Sequence, residues 1–305
     1  MSIAMAIVGG GKIARDSHVP AITASPDFTL AAAVTLAEAE LPGIPNFRTV
    51  AAMKAAMPGV TAVALCTPPR GRHALALQAI AAGLDILNEK PPAATLAEAE
   101  DIAAHAKAAG RVLYQSWHSR DAAAVAPAKA WLAGKSIRAV TITWKEDVRV
   151  WHPGQEWIWE PGIGVFDPGI NALSVAGAIL PDRLRLQSSE LRFPANKAAP
   201  IAADLAFDCG GMKVTASFDF DQKGPQTWDI DIATEAGTLK LSLGASKMAL
   251  DGRPIDVGTV PEYTALYARF ARLLAARRTD ADFTPFALVA DAFLLGRRVE
   301  IGPFL

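Results

Sequence analysis

The stretch Ala4-Met5-Ala6-Ile7-Val8-Gly9-Gly10-Gly11-Lys12-Ile13-Ala14 decides how this chain folds. A short apolar run enters a glycine turn and leaves it on helix-compatible residues, the G-x-G-x-x-A fingerprint of a dinucleotide-binding βαβ unit in its required strand-turn-helix context. Gly9 permits the tight turn, and Gly11 lets the backbone approach a pyrophosphate resting on the helix N-terminus. The small Ala14 lets that helix lie close on the strand, while Lys12 and Ile13 complete the cofactor-binding segment. A purely structural glycine turn would carry the same letters; the apolar strand before it and the alternation behind it favour the cofactor.

Working outward, short apolar runs alternate with alanine-rich helical patterns, the order of a parallel sheet covered by crossover helices. The pattern predicts strands near Ala4–Val8, Phe28–Val34, Thr61–Cys66, Leu84–Asn88 and Arg111–Gln115. It predicts helices near Lys12–Ala24, Thr49–Met57, Arg70–Ala82 and Thr95–Ala109, the last opened by the capping box Thr95/Glu98 and closed by Gly110. A further helix is expected around Ala122–Leu132, after which the texture changes. Alternating segments at Ser136–Glu146, Arg183–Arg192, Ala202–Asp208, Met212–Asp221, Thr227–Ala233 and Thr238–Leu243 read as an open, largely antiparallel sheet. Helices are expected at Pro168–Leu180, Pro261–Arg277 and Pro285–Glu300. The fold class is therefore α/β plus α+β: a doubly wound Rossmann domain over 1–120, then an α+β substrate-binding and oligomerisation domain over 121–305.

Composition narrows the partners. The 305 residues carry 30 Lys+Arg against 31 Asp+Glu, a formal charge of -1, which removes the electrostatic case for nucleic acid or a membrane surface and leaves a small-molecule ligand. Cys66 and Cys209 stand far apart and the His are not clustered, so neither a disulfide framework nor a metal site is indicated. The amino terminus lacks the basic start and longer apolar stretch of a secretory signal, and no apolar run has membrane-spanning length, so a reducing, cytoplasmic setting is expected.

Three strand ends carry chemistry. The second is expected to present an acid that binds the adenosine ribose, about 20 positions after the glycines. That place holds Thr35, which excludes neither a ribose hydroxyl nor a 2′-phosphate; no nearby Arg positively selects the phosphate, although Lys12 and Arg15 lie early enough in the first helix to reach it. The cofactor is therefore NADP or NAD, with dual use and a modest NADP lean. The third strand ends in Cys66-Thr67-Pro68-Pro69 and leads to His73. The fourth ends in Asn88-Glu89-Lys90-Pro91-Pro92, placing Lys90 where open α/β sheets hold their ligands, with Pro91 keeping its backbone out of helical geometry.

These motifs together resemble the family of glucose-fructose oxidoreductase, inositol dehydrogenase and related sugar oxidoreductases. The resemblance rests on Gly9-x-Gly11-x-x-Ala14, Thr67-Pro68 with His73, and Glu89-Lys90-Pro91, and covers almost the whole chain. In the second half, Lys145-Glu146-Asp147-Val148-Arg149, Trp151-His152-Pro153-Gly154-Gln155, Trp157-Ile158-Trp159-Glu160 and Gly164-Val165-Phe166-Asp167-Pro168-Gly169-Ile170-Asn171 are similar to the family's bacterial aldose 1-dehydrogenases, those of D-galactose and L-arabinose. Where much of the family has His four residues after the motif Asp, this chain has Asn171, as that branch does. The resemblance implies oxidation of a pyranose aldose of the D-galactose, L-arabinose or D-fucose type at C1 to its lactone, with hydride passing to nicotinamide.

The resemblance further implies that Lys90, Asp167 and Asn171 surround the reacting carbon, that Glu146, His152 and His118 hold sugar hydroxyls, and that Thr67, Pro68, His73, Glu89 and Lys90 join Gly9, Gly11, Lys12, Ile13 and Thr35 at the cofactor. The residues themselves leave alternatives. Asp167 before Pro168 also suits an N-cap with proline at N1. Trp151, Trp157 and Trp159 suit either a pyranose face or a small core under their loop, and Trp228 either closes the same pocket or packs. Oxidation at an anomeric carbon needs one proton acceptor and one positive stabiliser; Asp167 and Lys90 supply both, and which of them accepts stays open. Another reductase of this fold, or a non-catalytic NADP-binding sensor, remains as the competing expectation, and the second domain's sheet offers a face for a homo-oligomer.

Overall fold

The computed structural model describes residues 2–305 and divides them into two compact units, one running to His118 and taking in Pro261–Phe283, the other Ser119–Val260 with Thr284–Leu305. The crossing expected at residue 120 is thus followed by a return: one late helix belongs with the first unit.

In the first unit β1 (Ile3–Val8) leads through a π-helical turn (Ala14–His18) into α1 (Val19–Ala24), β2 (Phe28–Val34), β3 (Asn46–Phe47), α2 (Val50–Ala56), β4 (Ala62–Leu65), α3 (Arg72–Ala81), β5 (Asp85–Asn88), α4 (Leu96–Ala108) and β6 (Leu113–Gln115). The six strands are all parallel in the order β3-β2-β1-β4-β5-β6. Order reverses between β1 and β4, and the carboxyl ends of such neighbouring strands are where open α/β sheets bind ligands. Buried Met5, Ala6, Ile7 and Val8 make β1 the apolar spine of the sheet. The one helix expected over Lys12–Ala24 is interrupted because Pro20, near the start of α1, has no N–H and crowds the preceding turn. The chain widens there, the Val19 N–H reaching Ala14 O, and His18 is turned fully inward.

The second unit continues with α5 (Val125–Leu132), β7 (Ile137–Lys145), α6 (Val148–Trp151), α7 (Phe166–Ile179), β8 (Leu184–Pro194), β9 (Ala202–Cys209), β10 (Met212–Asp219), β11 (Thr227–Thr234), β12 (Gly237–Ser242), β13 (Lys247–Leu250) and β14 (Arg253–Ile255). Then α8 (Glu262–Ala275) rejoins the first unit, and α9 (Thr284–Leu295) and β15 (Arg297–Ile301) complete the second. Its nine strands run β14-β13-β12-β11-β7-β10-β9-β8-β15. Pairing is mostly antiparallel, with β7/β10 and β8/β15 parallel. The expected helix Pro285–Glu300 stops at Leu295; the chain turns at Gly296, where a Cβ would stand 2.3 Å from Ala292 O so that only glycine fits, and the residues beyond it join β8 as a strand. Helix α7 lies so close on the sheet that a Cβ on Gly169 would meet the Phe218 ring at 2.7 Å.

Among the described residues no helix is long and apolar enough to cross a membrane, and no group of three or more His, Cys, Asp or Glu is placed to hold a metal. Cys66 and Cys209 are buried and unbridged.

Candidate active site

The glycine turn separates what the fold needs from what a ligand needs. Gly9 has φ +99°, and a Cβ there would lie 2.9 Å from Thr67 Cγ2; a Cβ on Gly10 would lie 1.8 Å from Ala39 O. Both glycines are demanded by neighbouring backbone. A Cβ on Gly11 meets nothing within 4 Å, and its φ is not in the left-handed region, so no neighbour in the chain requires glycine there. Close approach by a bound group is the remaining reason. Nearby, the buried Thr67 Oγ1 has no hydrogen-bond partner. An open glycine cradle and an orphaned hydroxyl at the ends of β1 and β4 fit a dinucleotide.

Around this turn, Arg15 donates to Gly10 O (2.9 Å) and Glu40 O (3.0 Å), tying the turn to the loop after β2. Lys12, exposed, pairs with Asp16, and Ile13 is half-buried ahead of the π turn. Thr35 is buried, its hydroxyl donating to Asn46 Oδ1 at 3.2 Å, and its carbonyl accepts from Arg48 Nη1 at 3.0 Å. Arg48, which also pairs with Glu40, is a cation beside Thr35 that the sequence pattern did not single out.

The Lys90 segment is held from both sides. Buried Arg72, at the start of α3, donates to the carbonyls of Thr67, Glu89 and Pro91, and Glu89 Oε2 accepts the Lys90 N–H at 2.8 Å. The Lys90–Pro91 bond is cis. Sequence singled out His73, but its imidazole is committed to Asp101 (2.7 Å) between α3 and α4; its neighbour Arg72 is the residue that turns inward. That bond, with the charge of His105, holds Asp101 below the usual carboxylate range. Glu89, expected at the cofactor, is buried with both oxygens engaged: Oε1 by His18 Nε2 (3.1 Å) and Tyr263 Oη (2.8 Å), Oε2 by Lys90. His118 meets Glu262 Oε2 through Nδ1 at 2.5 Å and stacks on Tyr263 with centroids 5.4 Å apart.

In the second unit, Glu146 follows β7, is 2% exposed, and spends both oxygens internally. His152 Nε2 lies 2.8 Å from Oε1, and Trp228 Nε1 donates to Oε2 at 2.9 Å. The opposite ring nitrogen, His152 Nδ1, is buried without a hydrogen-bond partner and 3.7 Å from Asp167 Oδ2. Asp167 is not the N-cap its sequence context allowed. The backbone is already helical at Val165, the Asp167 N–H bonds Gly164 O at 2.9 Å, and the carboxylate sits buried in the first turn of α7. Asn171, one turn on, has a buried Oδ1 with no partner. Trp228 stacks on Trp144 (centroids 6.0 Å apart) and meets the part-exposed Trp151 at a tilt (4.7 Å, 56°), whereas Trp159 packs on Phe220 and Phe304 as a small core. Glu146, Trp151, His152, Asp167 and Trp228 are thus brought together, with an imidazole nitrogen of His152 and the amide oxygen of Asn171 buried and without a hydrogen-bond partner.

Residues 3–116 match the model of the oxidoreductase family with an NAD-binding Rossmann fold. Galactose 1-dehydrogenase of Pseudomonas fluorescens is 45% identical over 99% of this chain and 98% of its own length. The chain belongs to this oxidoreductase family. The crystal structure of D-galactose-1-dehydrogenase from Rhizobium etli matches at TM-score 0.95 and 46% identity, covering 100% of this chain and 98% of that one. KijD10, a 3-ketoreductase from Actinomadura kijaniata crystallised with NADP, shares the fold at TM-score 0.85 and 16% identity, covering 99% of this chain and 100% of that one. The family membership makes this chain an oxidoreductase of the NAD(P)-binding class, and the resemblance read from its motifs holds.

Proposed function

We propose that this enzyme oxidises a galactose-configured pyranose, D-galactose, L-arabinose or D-fucose, at C1 to the aldonolactone. The observation that carries the reading is the full-length identity of 45% to galactose 1-dehydrogenase, joined to the Glu146, His152 and Asp167 cluster. Gly11, Thr67, Lys12, Ile13 and Thr35 are the residues that would hold the dinucleotide, with Pro68 shaping the turn. The bound nicotinamide supplies a hydride acceptor for the hydrogen on C1.

The chain's own groups manage the proton. As the carbonyl forms, the hydroxyl proton on O1 goes to the Asp167 carboxylate, and the Lys90 ammonium stabilises the negative charge that develops on that oxygen. Glu146 holds His152 in the tautomer with hydrogen on Nε2, so Nδ1, 3.7 Å from Asp167, is an acceptor placed to pass the proton on. Asn171 orients the substrate through its unmatched amide, His118 and His152 meet hydroxyls, and the Trp151 and Trp228 rings offer a flat apolar face to the pyranose. Arg48 beside Thr35 supports a modest preference for NADP over NAD, with both used. The buried free Cys66 and Cys209 suit a reducing, cytoplasmic setting, and the outer face of the nine-stranded sheet is the surface for self-association.

The test is absorbance at 340 nm with NAD and NADP offered separately against galactose, arabinose, fucose, glucose, xylose and myo-inositol. Turnover confined to the galactose-configured sugars, and lost at least a hundredfold in Asp167→Asn and Lys90→Met, is expected. Cofactor binding with no sugar turned over would reject the reading.

A further inference from the structure

We propose that His18 is a positioning residue for Lys90, acting through the buried carboxylate of Glu89; the inference rests on the role given above to Lys90. His18 is wholly buried, and the π turn at Ala14–His18 is what swings it inward. Its Nε2 lies 3.1 Å from Glu89 Oε1 and its Nδ1 2.7 Å from Tyr267 Oη. Tyr263, one turn earlier on α8, donates to the same Glu89 oxygen at 2.8 Å. The other oxygen, Oε2, accepts the backbone N–H of Lys90 at 2.8 Å. A chain of hydrogen bonds therefore runs from Tyr267 through His18 and Glu89 to the backbone of the proposed oxyanion stabiliser.

The groups facing this pair are Cys66 from the end of β4, Tyr263 and Tyr267 from α8, and His118. Burial alone would lower the His18 pKa, yet Cys66, Tyr267 and Glu89 carry it well above the ordinary imidazole value. Burial alone would raise Glu89, yet the hydrogen bond and charge of His18, with His118 and Tyr263, hold it well below the carboxylate range. The raised His18 and lowered Glu89 pKa values both favour the imidazolium–carboxylate form, and the 3.1 Å contact lets each buried group satisfy the other. Its second consequence is rigidity: with Oε1 anchored by two donors, Oε2 has a fixed place from which to hold the Lys90 N–H, opposite the carbonyls that Arg72 holds. The late helix α8 thus returns to the first unit carrying two of the residues that set the Lys90 backbone.

The experiment compares His18→Asn, His18→Gln and Tyr263→Phe by kcat, sugar KM, NAD(P)H affinity, and the primary isotope effect with C1-deuterated sugar. Glutamine places its amide nitrogen near the Nε2 position and keeps the donor to Glu89; asparagine is too short. Expected for His18→Asn is a kcat loss of at least tenfold with a raised isotope effect and NAD(P)H affinity within about twofold of wild type, largely restored in His18→Gln. Wild-type kcat in His18→Asn, or a loss shared equally by His18→Gln, would overturn the proposal. Should His18→Asn fail to fold, Tyr263→Phe decides: a loss of threefold or more with a raised isotope effect supports it, and wild-type kcat overturns it. Lys90→Met separates the two readings, since wild-type turnover there removes the role of Lys90 and this proposal with it, whereas an inactive Lys90→Met beside a normal His18→Asn removes this proposal alone.

Discussion

Replacing Gly11 by alanine separates cofactor binding from folding more cleanly than any other change at the turn. The added Cβ has no neighbour within 4 Å and the backbone there is not left-handed, so the folded chain accommodates it without rearrangement. Losing glycine's freedom in the unfolded chain contributes about 0.4–1 kcal/mol of stability, a rise in Tm of about 1–4 °C. The same methyl occupies the open side of the cradle and forces the pyrophosphate off the backbone N–H groups. Loss of one hydrogen bond to a charged partner costs about 1.5–3 kcal/mol, or about ten- to hundredfold in Kd. Gly10→Ala is the control: its Cβ would stand 1.8 Å from Ala39 O, so affinity and Tm fall together. Fluorescence titration with NAD(P)H beside thermal unfolding reads both quantities. Wild-type affinity in Gly11→Ala, or a Tm as low as that of Gly10→Ala, would refute the assignment of this glycine to the ligand.

Arg48→Ala is expected to raise the KM for NADP about tenfold while changing that for NAD less than twofold, and equal effects on both would show that Arg48 serves only the Thr35 backbone and Glu40. Trp228→Phe keeps a ring against Trp144 and Trp151 but removes the donor to Glu146 Oε2; sugar KM should rise about tenfold, the cost of one unsatisfied buried carboxylate oxygen, with cofactor KM unchanged. The His18 and Glu89 pair gives stability a pH window. Glu89, held below its ordinary value, contributes stability that is present above about pH 4.3 and fades as pH falls through its lowered pKa. His18, held above its ordinary value, contributes stability present below about pH 6.5 and lost as pH rises through its raised pKa. The stability gap between wild type and His18→Gln should be widest between about pH 4.5 and 6.5 and narrow at higher pH; a gap constant to pH 9 would contradict the ion pair.

Local pattern carried much of the architecture. Phe28–Val34 is a strand over the span its β-branched and apolar residues suggest, and Thr95 caps α4 through the Glu98 N–H as the capping box requires. What escaped depends on partners distant in sequence. Nothing in Arg15-Asp16-Ser17-His18 announces a π turn; Pro20 is the only local sign, and the inward His18 is held by Glu89 and by Tyr267 from a helix almost the whole chain away. Helix α8 has the same amphipathic pattern whichever unit it serves, so its return to the first unit was not legible. Residues beyond Gly296 alternate over so few positions that the preceding helix masks them, and β8 supplies the pairing that makes them a strand.

The candidate site shows the same division. Asp167 before proline reads as a cap by local rules, and only the turn at Gly164 and Val165 buries it beside His152. Glu146 and His152 read from the sequence as hydroxyl ligands; that both Glu146 oxygens also meet His152 and Trp228 depends on residues brought together by the fold, which no local pattern shows. Arg72 went unnoticed beside the more suggestive His73, although a buried guanidinium bonding three carbonyls fixes the Lys90 segment. Its place at the start of α3, following Pro68-Pro69, was the available signal.

The central claim, hydride removal from the anomeric carbon of a galactose-configured sugar, is tested most directly with D-galactose deuterated at C1. The account predicts deuterium recovered in the reduced cofactor, a primary isotope effect on kcat/KM, and galactonolactone as the product. Full turnover with protium alone appearing in the reduced cofactor and no isotope effect would place the oxidation at another carbon and contradict the account.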